Sequence, residues 1–202
     1  MILPFPDRYI FQDPRFQPVT DASALLVEYI LNHEDNDPRI LLELGSGCGI
    51  VSIMLALSRP DWQITALEIQ PEQVELSRRN AVLCGCLISF HEADLRKWTT
   101  PGWDLIIANP PWLPVGKGLS SPIPERRIGR EEVHCAMTDI LNAVSRLLNP
   151  AGEAVLIYPR ARLAELQSLT DKTSLDIIDL VFTNGTKQYL ICRLKQRGNN
   201  DC

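Results

Sequence analysis

The chain has 202 residues, of which 45% are hydrophobic and 22% charged, the proportions of an ordinary soluble globular protein with enough length for one domain and a full core. Its formal net charge of −5 argues against a broad electrostatic grip on nucleic acid. No apolar stretch reaches the length of a membrane span, and residues 1–8 lack the basic start and apolar core of a signal peptide.

In chain order, Asp21 is placed to cap a helix over Ala22–Leu31. Arg39–Leu44 is a short apolar run ending in a glycine turn, the pattern of a buried strand. Over Gly49–Ser58, Ile50, Ile53, Met54 and Leu57 share one helical face, and Pro60 stops the helix. Gln63–Ile69 is the next strand. Pro71 opens a helix at its first turn, where a missing N–H costs nothing, and Gly85 closes it after Cys84. Leu87–His91 and Trp103–Ala108 are the third and fourth strands. A loop with five prolines and three glycines runs from Asn109 to about Arg130, long enough to suggest a functional segment. Beyond it the pattern predicts a helix over Glu131–Leu148, a strand over Gly152–Tyr158 and a helix over Ala161–Leu169. The strands Leu175–Phe182 and Gln188–Leu194 follow, joined by a turn at Asn184-Gly185. Alternating strands and helices imply a mostly parallel α/β sheet covered on both faces. The final two strands have no helix between them, so one of them runs antiparallel. Nothing reads as a repeat or a linker, so the expectation is one domain over 1–202, with a helical lead-in over 1–38 and a core over 39–195.

The six cysteines, Cys48, Cys84, Cys86, Cys135, Cys192 and Cys202, lack paired metal-ligand spacing and read as free or buried thiols in a reducing cytoplasm, with no metal expected. Charge is uneven along the chain. Residues 1–100 hold 8 basic and 14 acidic residues, residues 101–202 hold 12 and 11. Lys117, Arg126, Arg127 and Arg130 against Glu125 leave a local +3 after the fourth strand, which fits both a phosphate-holding patch and a solvated loop.

Two motifs carry chemistry. The first, Asn109-Pro110-Pro111-Trp112, follows the fourth strand directly. The Asn109 oxygen and the Pro110 carbonyl can accept the two N–H bonds of a planar amine while the Trp112 indole covers its face. The second, Glu43-Leu44-Gly45-Ser46-Gly47-Cys48-Gly49, follows the first strand, and the bare backbone at Gly45, Gly47 and Gly49 allows close approach of a ligand. That loop alone also fits a dinucleotide site. Glu68 ends the second strand, 19 residues after Gly49, where a carboxylate can accept both hydroxyls of a ribose. Asp94 follows the third strand and is placed either to accept from an adenine amine or to lie in solvent. His33, His91 and His134 suggest no catalytic role.

These motifs, in this order and spacing, resemble the class I S-adenosylmethionine-dependent methyltransferases of the Asn-Pro-Pro-aromatic subgroup. The resemblance implies a Rossmann-like seven-stranded sheet with a reversed last strand. It implies S-adenosyl-L-methionine held by Glu43, Gly45, Gly47, Gly49, Glu68, Asp94 and Asn109. It also implies a planar amine acceptor at Asn109, Pro110 and Trp112, namely the exocyclic amine of a base or the side-chain amide of glutamine. Gln17–Leu26, Arg126–Glu132 and Tyr158–Leu166 look like outer elements of bacterial tRNA adenine methyltransferases acting on valine tRNA, with RNA as partner. On that reading Trp112 stacks on the base and Arg126, Arg127 and Arg130 hold phosphates. Trp112-Leu113-Pro114 also looks like the release-factor glutamine methyltransferases, but those carry a helical domain before the core, and here fewer than 40 residues precede the first strand. A cofactor-binding adaptor without transferase activity is a third reading, opposed by the intact acceptor motif.

Overall fold

The longest apolar runs of the chain become the middle of a sheet. The computed structural model describes residues 1–116, 119–183 and 188–198. Strands β1 (Ile40–Leu44), β2 (Gln63–Glu68) and β3 (Ile88–Glu92) are followed by β4 (Trp103–Ala108), β5 (Leu148–Pro159), β6 (Leu175–Phe182) and β7 (Tyr189–Gln196). Among the described residues these seven form one sheet in the order β3-β2-β1-β4-β5-β7-β6. Pairing is parallel from β3 through β5, and β7 runs antiparallel to both β5 and β6. The expected reversed strand is therefore the last one.

Period-two alternation along the inner strands divides the core. Leu105 and Ile107 of β4 face one side, where α1 (Asp21–His33), α2 (Ile50–Ser58) and α3 (Pro71–Cys84) pack. Ile106 and Ala108 face the other, against α5 (Met137–Leu147) and α6 (Leu163–Thr170). Burial of both faces explains why β1 and β4 read as continuous apolar runs. Arg193 of β7 pairs with Glu34 beyond α1 and with Glu153 of β5, and the Tyr29 hydroxyl donates to Asp179 at 2.6 Å, which ties α1 to the sheet's far end.

Some boundaries differ from the expectations. Helix α1 begins at Asp21, with extended Thr20 at its cap position, so Asp21 lies in the first turn, where a negative charge meets the positive end of the helix. The long loop after β4 contains a short helix, α4 (Pro124–Arg130), opened by a proline in its first turn. Helix α5 starts six residues later than Glu131. Glu132 is diverted from helix by donating its N–H to the Leu113 carbonyl (2.8 Å), and the Glu131 carboxylate accepts from Ser120 (2.6 Å) and Ser121 (3.2 Å). The helix begins where Asp139 accepts the Ala136 N–H at 2.9 Å. Strand β5 begins at Leu148, four residues early, and its register on β4 shifts between Trp103 and Leu105. Gly152 sits at that shift, and a Cβ there would meet the Trp103 carbonyl oxygen at 2.6 Å, so the strands approach too closely for any other residue. A 3₁₀ turn (Arg160–Arg162) precedes α6, which spans Leu163–Thr170. The predicted Asn184-Gly185 turn and Lys117 lie outside the described residues.

Candidate active site

The chain winds outward from β1 to β3 and then returns to β4 on the other side of β1. Loops leaving the carboxyl ends of β1 and β4 therefore diverge, and a ligand cleft forms between them. Glu43, Gly45, Gly47, Glu68, Asp94 and Asn109 all line it. The glycine loop after β1 is fixed by its neighbour strand, since the Gly45 and Ser46 N–H groups both donate to the Leu67 carbonyl, at 2.9 and 3.0 Å. The Gly47 N–H donates to Glu68 Oε2 at 2.9 Å, and Glu68 Oε1 accepts from the N–H groups of Ile69 (2.9 Å) and Gln70 (3.0 Å). Three backbone amides thus aim the Glu68 carboxylate into the cleft. Gly49 lies behind the loop. Its φ of +84° belongs to the left-handed region, and a Cβ there would stand 3.0 Å from Ser77 Cβ and 3.1 Å from Phe90 Cζ. The first two glycines of the motif face the ligand space, and Gly49 serves the packing of the loop on α3 and β3.

Burial dominates the electrostatics. Glu43 is 2% exposed and accepts the Ser52 N–H (3.2 Å) and hydroxyl. Desolvation pushes its pKa up to about 8 against those hydrogen bonds, and the Glu68 charge adds to the rise. Glu68 is also raised by burial, opposed by its three amide donors. Asp94 is lowered, because Arg96 grips its carboxylate at 2.7 Å. The thiols on the cleft are pushed up by burial, Cys48 to about 11 and Cys135 to about 12, so neither is a thiolate nucleophile at neutral pH.

Two polar groups in the cleft test its fit to a polar ligand. Ser46 Oγ and Gln73 Oε1 belong to residues only 5% and 6% exposed, and neither atom has a hydrogen-bond partner. Leaving such a group unsatisfied costs about 1–3 kcal/mol, which a ligand with donors of its own would recover. Ser46 follows a glycine in the motif, and Gln73 lies in the first turn of α3. No spacing signal in the sequence distinguished either of them.

On the acceptor side, the Asn109 amide leaves the end of β4 and donates Nδ2–H to Ser23 Oγ on α1 at 3.2 Å. This leaves Asn109 Oδ1 as an acceptor. Pro110 and Trp112 line the same cleft. The Trp112 ring packs against Tyr189, with centroids 5.1 Å apart and planes at 58°, and its Nε1 is buried without a partner. The Trp112 N–H donates to the Arg130 carbonyl (3.2 Å), and its carbonyl accepts from Arg162 Nη1 (2.6 Å). Of the expected phosphate-binding arginines, Arg130 reaches the rim of the cleft and is exposed. Arg126 points elsewhere. It donates to the carbonyls of Phe16 and Pro14 and straps α4 to the N-terminal segment. Arg127 stands 3.6 Å from the Glu131 carboxylate. Neither Arg126 nor Arg127 lines the cleft, and phosphate contact through Arg126 requires those carbonyl bonds to open.

The methyltransferase small domain family matches residues 17–172, which span the glycine loop, the Asn-Pro-Pro-Trp motif and β5. The chain belongs to that family. It is an S-adenosylmethionine-dependent methyltransferase with a Rossmann-like sheet. It is 30% identical over 171 residues to a tRNA1(Val) (adenine(37)-N6)-methyltransferase of Aeromonas hydrophila subsp. hydrophila, an alignment covering 81% of this chain and 71% of the relative. It is 33% identical over 129 residues to a release factor glutamine methyltransferase of Deinococcus radiodurans, covering 64% of this chain and 45% of that protein. A crystal structure of the ribosomal protein L11 methylase from Lactobacillus delbrueckii subsp. bulgaricus shares the fold, with a TM-score of 0.67 at 16% identity over 92% of this chain and 84% of that one. For a methyltransferase of this family, the orphaned Ser46 and Gln73 atoms and the amide-held Glu68 suit the polar amino-acid and ribose ends of S-adenosylmethionine. Among the described residues, no group of three or more His, Cys, Asp or Glu side chains could hold a metal ion, and no helix is long and apolar enough to cross a membrane.

Proposed function

We propose that this methyltransferase modifies the exocyclic amine of adenine in RNA, with tRNA as the substrate class. One observation carries the reading. At the carboxyl end of β4, beside the glycine loop, the Asn109 amide is turned by Ser23 so that Oδ1 is left to accept an N–H, and the Trp112 indole stands next to it. Glu68 and the Gly45–Gly47 backbone hold the donor's ribose and amino-acid parts, Glu43 backs the loop, and Asp94 serves the adenine edge. When bound there, S-adenosylmethionine supplies an electrophilic methyl group. The residues of this chain supply positioning and polarisation.

An aromatic amine is a weak nucleophile because its lone pair is delocalised into the ring. Asn109 Oδ1 and the Pro110 carbonyl accept its two N–H bonds. They turn the lone pair out of conjugation and stabilise the positive charge that grows on nitrogen. Trp112 covers the base and excludes water from one face. After transfer the surplus N–H proton is held at Asn109 Oδ1 until it passes to solvent. His134 and Arg130 also line the cleft, but once nitrogen carries the charge its proton is acidic enough to leave without a strong base.

Two features favour RNA over a protein amide. The alignment with the valine-tRNA enzyme runs over most of both chains, whereas that with the release-factor enzyme spans less than half of that protein. An indole at the mouth of the cleft is also the surface on which an unstacked base is held. Drawing the base out of its stack costs a few kcal/mol, and stacking on Trp112 returns about 1–3 kcal/mol of it. A glutamine amide has no ring to stack. Arg130 at the rim supplies a cation for a neighbouring phosphate. The test is partition of label. Incubated with labelled cofactor, unfractionated tRNA should take up methyl groups and purified release factor should not. Label in the protein alone overturns the RNA reading, and label in neither supports an adaptor.

A further inference from the structure

We infer that Arg162 is a positioning residue for methyl transfer, acting through the backbone of Trp112. Arg162 stands at the end of the 3₁₀ turn after β5 and is 8% exposed. Its guanidinium makes three attachments at once. Nη1 donates to the Trp112 carbonyl at 2.6 Å, Nη2 to Glu132 at 2.9 Å, and Nε and Nη2 to Glu165 at 2.6 and 2.8 Å. Glu132 in turn accepts the Met137 N–H at 3.2 Å, at the start of α5. The planar fork therefore joins the acceptor loop to two helices of the scaffold, to α6 through Glu165 and to the start of α5 through Glu132.

The arrangement is specific to the loop. The Trp112 N–H is taken by the Arg130 carbonyl and its C=O by Arg162, so the main chain of this residue is held on both sides. The indole itself has no hydrogen-bond anchor, because Nε1 has no partner and the ring is held by packing, against Tyr189 and the edges of the two core clusters. The ring's place over an acceptor is then set by the backbone from which it hangs. A buried arginine held only for stability would need its two carboxylates and no carbonyl of the acceptor motif. Spending a charged N–H on that carbonyl fixes the ring relative to Asn109, three residues back on the same turn. Misplacement by about 1 Å at such a site costs about a hundredfold in rate.

The inference rests on the assignment of Trp112 to the acceptor, and the experiment separates the two. Arg162→Lys keeps the charge but loses the fork. Single-turnover transfer to unfractionated tRNA should fall about tenfold to a hundredfold, with S-adenosylmethionine affinity within about twofold of wild type. In a Trp112→Ala background the same Arg162→Lys change should add little further loss. Glu165→Ala removes two bonds to the fork but leaves the Trp112 carbonyl bond in place, so it should lower transfer by a smaller factor than Arg162→Lys does. If the lysine variant folds poorly, Glu132→Gln loosens the same fork and should lower transfer in the same direction by a smaller factor. Full additivity of Arg162→Lys and Trp112→Ala overturns the positioning role alone. Equal losses in Arg162→Lys and Glu165→Ala, tracking their thermal stabilities, would do the same. Normal transfer by Trp112→Ala overturns the acceptor assignment and this inference with it.

Discussion

Replacing Glu43 by glutamine should flatten the pH dependence of stability. Glu43 is buried behind the glycine loop with its pKa pushed up from 4.5 to about 8. An unfolded chain ionises this group above about 4.5, while the native state keeps its proton until about 8. Between those limits the native state binds more protons, so stability is full below about 4.5 and falls as pH rises toward 8. At about 1.4 kcal/mol per unit, the difference corresponds to about 5 kcal/mol across the window. Relaxation and water entry reduce such figures, so the measured loss should be about 2–5 kcal/mol. Glutamine keeps a carbonyl oxygen for the Ser52 N–H and hydroxyl and never ionises. Urea unfolding at pH 5, 6.5 and 8, with constant m-values, should show wild type losing stability over that range and Glu43→Gln losing less. A smaller slope should survive in the variant, because Glu68 is raised as well. Parallel profiles for the two proteins would refute a neutral buried Glu43.

Other substitutions separate the parts of the site. Gly49→Ala forces a left-handed φ on a residue with a Cβ and crowds Ser77 and Phe90, so it should destabilise by about 2–5 kcal/mol in thermal or urea unfolding. Glu68→Ala should weaken S-adenosylmethionine binding strongly by isothermal titration and also lower thermal stability, since it removes a carboxylate that lines the cleft and accepts three backbone N–H groups. Arg126→Ala should release the N-terminal segment around Pro14 and Phe16, read as faster amide exchange there, and should change the salt dependence of RNA binding less than Arg130→Ala does.

Periodicity and punctuation made most of the fold legible. The run Trp103–Ala108 matched its strand end for end, and Pro71 and Gly85 bracketed α3 because one sets φ and the other accepts a left-handed cap. The connection from Asn109 to Ala136 was harder to read. Its ends look helical in composition, but Glu131 and Glu132 are captured by partners in Ser120, Ser121 and Leu113, ten or more residues away, and no local pattern carries that information. The site shows the same division. Glu68, Asn109 and the glycines were visible because turn geometry and strand ends fix their places. Ser46 and Gln73 were not, and Ser23 and Arg162 stood out only as members of the segments Gln17–Leu26 and Tyr158–Leu166, since each matters through a contact made only when distant segments meet. Arg126 illustrates the converse: its charge suggested phosphate, and its fork is used on two carbonyls of the N-terminal segment.

The central claim is transfer to adenine through Asn109. Mass spectrometry of nucleosides from unfractionated tRNA, incubated with S-adenosylmethionine and either wild type or Asn109→Ala, tests it most directly. Wild type should raise N6-methyladenosine. Asn109→Ala should lower the rate a hundred- to a thousandfold, the about 2.7–4 kcal/mol expected for one lost acceptor bond, while binding the cofactor normally. Unchanged N6-methyladenosine with wild type, or near-wild-type turnover by Asn109→Ala, would contradict the account.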